Sequence, residues 1–345
     1  MSSFSPQVTR VGKRTNEEIK HDIKLAYGMI KEKRFDEALK SFKTILQDDP
    51  AVKIAHLAAG SLLMRKEQYD EAMAHFEEVM RLDPLMPRVH LSIGRIYLMQ
   101  GNLEKALEAC QDALNIDPNS TNAYLSIAQV LVRLEKYDEA IPQLRKALRL
   151  DPQLIAARLL LGQVFQKQGN LATALSELKS ALNIDPTAWR TYQALGHLYL
   201  AQQEYSAARE AFEKGLSLNP ELPAPAQLGL VEAIIAQNNL PKATEMLRQV
   251  PQVKSIEPKK HKLWGDIYQR QGLLKEATQE YRAAVLLSAE QGETLDDFAA
   301  MDALVEQNED TWQEVVERLR AVANRRVSEL QDSQRTGFRE RRRGR

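Results

Sequence analysis

The 345-residue sequence contains a single cysteine, Cys110, and aromatic residues make up only 6% of it. One cysteine forms no intrachain disulfide, and a thiolate metal site needs several, so both are excluded as a means of stabilising the fold. A core with few aromatic rings has to be built from aliphatic side chains and alanine. The lone thiol is consistent with a reducing compartment.

Long apolar runs are also absent. No stretch approaches the ~18 consecutive apolar residues of a membrane span, and residues 1–20 have no apolar core of signal-peptide length. We therefore expect a cytoplasmic protein without a transmembrane segment.

The chain has no excess of charge, because 47 basic residues balance 47 acidic ones. This balance disfavours bulk nucleic-acid binding. Both ends are basic, however: residues 1–16 carry a net +3 and residues 335–345 a net +5, which leaves −8 between them. We expect residues 1–16 and 335–345 to be disordered tails. The C-terminal tail presents the arginines Arg339, Arg341, Arg342, Arg343 and Arg345.

Sequence motifs of reaction centres are missing. There is no Walker-type loop, no Gly-x-Ser-x-Gly elbow and no His-Glu-x-x-His. His56, His90 and His261 share one register but lie at least one repeat apart, which is too far for one metal site. We predict a non-enzyme with no catalytic residue, no cofactor and no metal, and we interpret Cys110 as a buried small residue.

What the sequence does contain is a strict period. Six prolines lie 34 residues apart, five of them after Asp and the last after Asn219. They are Pro50, Pro84, Pro118, Pro152, Pro186 and Pro220. Such a period indicates one small unit copied head to tail, in which each unit buries its apolar face against its neighbours.

Three columns of residues recur with this period and indicate eight copies. An alanine column recurs every 34 residues, with one interval of 35: Ala38, Ala72, Ala106, Ala140, Ala174, Ala208, Ala243 and Ala277. Twelve residues before each alanine lies a mostly Gly or Ala column, and four residues after it lies a mostly large one. The three-to-four-residue apolar spacing predicts two helices per copy, for example over 122–134 and 138–150. Glycines such as Gly101 mark the turn between them.

These features resemble the tetratricopeptide repeat (TPR) family, whose 34-residue unit has the pattern large…Leu-Gly…Tyr…Ala…Phe…Pro. Residues 194–199 (Ala-Leu-Gly-His-Leu-Tyr), with Ala208, Phe212 and Pro220, match it almost fully. The resemblance covers residues 19–290. It implies an all-α, right-handed superhelical solenoid of about eight helix–turn–helix units. We expect residues 291–334 to form C-terminal capping helices, with a homodimerisation or partner helix as the alternative.

The resemblance also implies a concave groove lined by the first helix of each repeat. Carrying the family's groove positions over places polar and basic side chains there, interleaved with leucines. They are Arg88, Arg95, Asn122, Gln129, Gln163, Gln166, Arg190, Gln193 and His197. Arginine pairs with carboxylates, and amides pair with peptide backbone. The family's Lys-x-x-x-Asn pattern for gripping a C-terminal carboxylate is absent, so recognition of chaperone tails is not expected.

The leading hypothesis is a non-enzymatic scaffold or assembly factor that holds an acidic peptide or protein partner in this groove. The alternative is an adaptor that attaches to nucleic acid or to an anionic membrane surface through Arg339–Arg345. An enzyme is disfavoured, because only about 55 residues follow the array. A solvated helix face with no ligand is the remaining interpretation of the groove residues.

Overall fold

The computed structural model describes residues 15–291, and this range holds sixteen α-helices, one short 3-10 helix (Lys254–Ile256) and no β-strand. The predicted all-α fold is therefore confirmed. The helices are α1 (Asn16–Lys31), α2 (Phe35–Asp48), α3 (Lys53–Arg65), α4 (Tyr69–Leu82), α5 (Pro87–Met99), α6 (Leu103–Ile116), α7 (Thr121–Arg133), α8 (Tyr137–Leu150), α9 (Ile155–Lys167), α10 (Leu171–Ile184), α11 (Trp189–Ala201), α12 (Tyr205–Leu218), α13 (Ala224–Ala236), α14 (Leu240–Gln249), α15 (Glu257–Arg270) and α16 (Leu274–Gln291).

The chain forms two compact units that divide in the turn between Gly169 and Asn170. The first unit contains α1–α9 and the second contains α10–α16. First and second helices of the repeat alternate along both units, and the right hand of the superhelix stays a prediction. Helix α1 begins at Asn16, inside the segment 1–16 that we expected to be disordered. Residues 1–14 of that segment, residues 292–334, which we expected to form capping helices, and the basic tail 335–345 lie outside the described residues.

The repeat columns form the core of each unit. All eight residues of the alanine column are fully buried, and so are the residues twelve before and four after them. A methyl group at the alanine column and a glycine or alanine on the facing helix allow two helix backbones to approach closely. Larger side chains such as Phe42, Phe76 and Leu144 then fill the space beside the crossing.

Two glycines hold the ring of Phe212, which is fully buried. A Cβ atom built on Gly196 of α11 would lie 2.6 Å from that ring, and one built on Gly229 of α13 would also lie 2.6 Å from it. The ring therefore occupies the volume that side chains would take on both first helices. This contact joins one repeat to the next in the second unit.

The turn inside each repeat has one residue in the left-handed conformation. Gly101, Gly169 and Gly272 take it with φ of 76–77°, as the sequence predicted for a helix C-cap. In five other turns a side-chain-bearing residue takes it, including Glu67 and Glu135. The following amide donates to a carbonyl five residues back, for example Asn102 N to Tyr97 O at 2.8 Å, which closes a Schellman-type cap.

The Asp-Pro loops between repeats are closed by two side chains each. The Asp carboxylate accepts the amide two residues on, as in Asp185 Oδ1 from Thr187 N at 2.8 Å. A polar side chain in the next helix donates back to the proline carbonyl, six residues away. The five donors are His56, His90, Tyr124, Arg158 and Tyr192, at 3.0–3.2 Å. The residue before each proline is extended, which ends the second helix.

The link between α14 and α15 departs from this pattern. It contains the 3-10 turn Lys254–Ile256, and the buried ammonium of Lys260 donates to Val250 O at 2.8 Å. The side chains of Val250 and Ile256 are buried beneath it. The link between Gln249 and Lys260, whose prolines and lysines break the repeat pattern and predict a loose connection, is therefore packed instead.

We predict that Gly196→Ala lowers the free energy of unfolding by about 1–3 kcal/mol, because the added methyl group overlaps the Phe212 ring. Gly28→Ala is the matched control: no atom lies within 4 Å of its added Cβ atom, and it lies inside α1. That change is expected to stabilise by about 0.5–1 kcal/mol through helix propensity. Thermal unfolding followed by circular dichroism compares the two. Equal shifts of the same sign would contradict the packing argument.

Candidate functional site

An open pocket lies between α5 and α7 in the first unit, with a volume of about 240 Å³. Residues of both first helices form its walls, and α6 contributes one residue to its floor. The lining residues are Arg88, Leu91, Ser92, Gly94, Arg95, Leu98, Cys110, Asn122, Leu125, Ser126, Gln129 and Val130. The pocket is therefore lined by leucines and polar groups together.

Four of the nine predicted groove residues meet in this pocket: Arg88, Arg95, Asn122 and Gln129. They come together because equivalent positions of adjacent first helices face the same side. Gln163 and Gln166 lie on α9, outside the pocket lining. Arg190, Gln193 and His197 lie on α11 in the second unit. The groove role of these five residues stays a prediction.

The guanidinium groups of Arg88 and Arg95 are exposed, and among residues 15–291 no carboxylate, carbonyl or aromatic ring pairs with either of them. They lie seven residues apart on α5, which places them about 10 Å apart along the helix axis at ~1.5 Å per residue. Two unneutralised cations flanking a leucine-lined hollow favour an anionic, partly apolar ligand.

The floor of the pocket is made by Gly94 and Cys110. The thiol is 1% exposed, and burial raises the pKa of Cys110 to about 11. A Cβ atom on residue 94 would lie 2.8 Å from Cys110 Sγ, so glycine opens this floor. The prediction that Cys110 is buried is confirmed.

Sequence reasoning missed Ser92 and Ser126, which are also part of the lining. The signal was available, since they lie 34 residues apart in one register. Ser92 Oγ donates to Arg88 O at 2.9 Å within its own helix, which leaves an oxygen lone pair for a ligand.

Helices α13 and α15 of the second unit present lysines next to carboxylates. Lys259 Nζ lies 2.8 Å from Glu232 Oε2, and Lys262 Nζ lies 3.8 Å from Asp266 Oδ2. Arg270 donates to Ile235 O at 2.7 Å. These two lysines thus have acidic neighbours, in contrast to Arg88 and Arg95 in the α5/α7 pocket.

His197 of α11 lies with its ring against Phe212, at a centroid distance of 5.0 Å. Burial, followed by the nearby Lys259 ammonium, lowers the pKa of His197 to about 4, and Glu232 opposes this shift. His197 is therefore neutral at physiological pH and adds no positive charge to α11.

His56 in α3 forms a contact that the sequence did not indicate. Its Nε2–H donates to Pro50 O at 3.0 Å, so its Nδ1 atom accepts from Nδ1–H of His75 in α4 at 2.9 Å. Burial, with the neighbouring His56, lowers the pKa of His75. The pair is structural: it ties the two helices of one repeat together.

The described residues show neither a metal-binding cluster nor a membrane-spanning helix. Residues 15–291 contain no cluster of three or more His, Cys, Asp or Glu side chains that would hold a metal ion. None of the helices in that range combines the length and apolarity needed to cross a membrane.

Eight phased helix pairs with a polar face on the first helices define the class of helical repeat proteins. Tetratricopeptide repeat profiles match residues 30–87, 63–131, 155–187 and 199–255, and a TPR repeat profile matches residues 128–169. The chain belongs to the tetratricopeptide repeat family. Members of this family are typically non-enzymatic scaffolds, and this chain is a protein-interaction scaffold with protein partners.

Solved structures of the same fold support this assignment. PilW, a widely conserved type IV pilus biogenesis factor, is 26% identical over 57% of this chain and 91% of its own, with a TM-score of 0.52. Cut9 in the APC/C hetero-tetramer Cut9-Hcn1 is 19% identical over 79% and 52%, with a TM-score of 0.65. PilF of Pseudomonas aeruginosa is 17% identical over 63% and 96%, with a TM-score of 0.51. No curated protein matches the chain.

We predict that Cys110 reacts with an aromatic disulfide reagent at pH 8 about two orders of magnitude more slowly in the folded chain than in urea, because its thiolate fraction is small. As the chain has one cysteine, the absorbance of the released thiolate reports this site alone. Equal rates in the folded and unfolded states would show that the pocket floor is open to solvent.

We also predict that His197 makes the protein less stable in acid. Its pKa is about 4 when folded and ~6.5 when unfolded, so the unfolded state binds the proton first. The contribution of His197 to the free energy of unfolding is unchanged above pH 6.5 and falls as the pH drops towards 4. At pH 5 this contribution is about 2 kcal/mol lower. Urea unfolding at pH 7.5 and 5 measures the loss. The variant His197→Gln is expected to lose this part of the pH dependence, and an unchanged pH dependence would contradict it.

Proposed function

We propose that the chain is an assembly factor or adaptor that binds an acidic peptide segment of a protein partner in the α5/α7 pocket. One observation carries the proposal: Arg88 and Arg95 flank a leucine-lined hollow and have no acidic partner among the described residues. A pair of cations that the protein itself leaves unneutralised is suited to carboxylates of a ligand.

The size of the pocket supports a peptide ligand. At about 240 Å³ it is smaller than the ~300–1,000 Å³ of typical small-molecule sites. An apolar side chain of a peptide fits such a hollow, and its backbone would meet the amides of Asn122 and Gln129, which both donate and accept hydrogen bonds. Carboxylates about 10 Å apart on the ligand would then reach both arginines.

The similarity to PilW is consistent with an assembly role, because PilW is a biogenesis factor and 26% identical to this chain. Helices α13 and α15 are less suited to an acidic ligand, since Lys259 and Lys262 already lie next to carboxylates. Binding through the tail arginines 339–345 stays an alternative prediction from the sequence, as these residues lie outside the described range.

We predict that Arg88→Glu with Arg95→Glu abolishes retention of the partner while leaving the fold intact, because both side chains are exposed. Pull-downs from the native cell extract would compare this variant with the unaltered chain. A matched control carries Arg145→Glu with Arg149→Glu, the same charge change on exposed residues of α8.

The expected result is a protein held by the unaltered chain and by the α8 control but lost from the α5 variant. A synthetic peptide from its acidic segment would then bind with the same dependence on the two arginines. Retention by all three chains would contradict the pocket assignment. Loss from both variants would indicate non-specific charge attraction, and it would contradict the assignment too.

A further inference from the structure

The chain itself contains a segment with the chemistry that the α5/α7 pocket requires. Residues 292–311 hold seven acidic residues and no Lys or Arg. Apolar residues alternate with them at helical spacing: Leu295, Phe298, Met301, Leu304 and Val305. The positive tail of the chain begins only at residue 335, so this stretch is the acidic counterpart of a basic pocket on the same polypeptide.

The spacing of charges also corresponds. Asp302 and Glu309 are seven residues apart, as Arg88 and Arg95 are, and the sequence pattern predicts a helix for both stretches. Seven residues give about 10 Å along either helix axis. Val305, three residues after Asp302, falls on the same helical face between the two carboxylates. An apolar side chain flanked by two acids thus matches a leucine hollow flanked by two arginines.

We infer that the α5/α7 pocket of one chain binds residues 292–311 of a second copy, an inference that rests on the proposed function of the pocket. Charge complementarity is the main argument. A second copy is the chosen source because every chain carries both the pocket and the segment, so two copies can satisfy both contacts at once. Reciprocal exchange between two copies closes a two-fold dimer.

This self-recognition would regulate the scaffold. A pocket filled by a second copy is closed to a foreign acidic segment, so the foreign partner has to compete with dimerisation. The apparent affinity for the partner then falls as the concentration of the chain rises. The pocket would be open at low concentration and closed at high concentration.

The first test measures self-association of the full chain by sedimentation equilibrium. We expect a concentration-dependent dimer, weakened at least tenfold by Arg88→Glu with Arg95→Glu and equally by Asp302→Lys with Glu309→Lys. Combining the four changes swaps the charges and is expected to restore the dimer. The α8 control, Arg145→Glu with Arg149→Glu, keeps it. A monomer at all concentrations, or a dimer that neither pair of substitutions weakens, would overturn the inference.

The second test separates this inference from the proposed function. A labelled peptide of residues 292–311 is titrated by fluorescence anisotropy into the full chain with Asp302→Lys and Glu309→Lys, whose own segment no longer competes. Binding that is lost when Arg88→Glu and Arg95→Glu are added supports the inference. If this peptide does not bind but a foreign partner still needs the two arginines, the inference fails and the proposed function stands. If neither binds, both fail.

Discussion

The close approach of helix backbones through small residues is the constraint on which the rest of this structure depends. Alanine on one helix and glycine or alanine on the next bring the backbones together, and one large side chain per repeat fills the remaining space. The Phe212 ring shows how tight this arrangement is, because two glycines from successive first helices are needed to hold it. The small residues recur every 34 residues because each repeat forms the same contact between its helices.

This packing leaves one side of α5 and α7 open to solvent, whereas most of α13 is buried. The exposed side of α5 carries two arginines that no acidic group among the described residues pairs with, and α13 and α15 carry lysines next to carboxylates. The two units are therefore built from the same repeat but differ in electrostatics. The core does not constrain these exposed positions, so their charges can differ between repeats. These charges determine which ligand a repeat protein binds.

The core was predictable from the sequence because it repeats. Every residue of the alanine column is buried, and the predicted helices 122–134 and 138–150 agree with α7 and α8 to within one residue. The left-handed turns were predictable only where glycine marks them, since Glu67 and Glu135 take the same conformation without that signal. The His56–His75 contact was not predictable, because no other repeat has a histidine at the position of His75 and the register therefore does not indicate this pair.

The candidate site was predictable in part. Repeat register placed Arg88, Arg95, Asn122 and Gln129 on one side of adjacent helices, and the structure brings them into one pocket. Register does not report what surrounds each charged group. The Arg190 guanidinium lies over the Trp189 ring at 4.5 Å, and burial keeps His197 neutral. The groove role of these two residues stays a prediction.

The hydrogen bond from a helix back to the proline carbonyl six residues earlier recurs at five loops, with histidine, tyrosine or arginine as the donor. Each of these bonds closes within seven consecutive residues and involves no other part of the chain. A gene segment that encodes one repeat therefore carries its own junction, and unequal recombination in register would insert or delete whole repeats with every junction intact. Because histidine, tyrosine and arginine all supply this bond, the junction tolerates a change of side chain at the donor position.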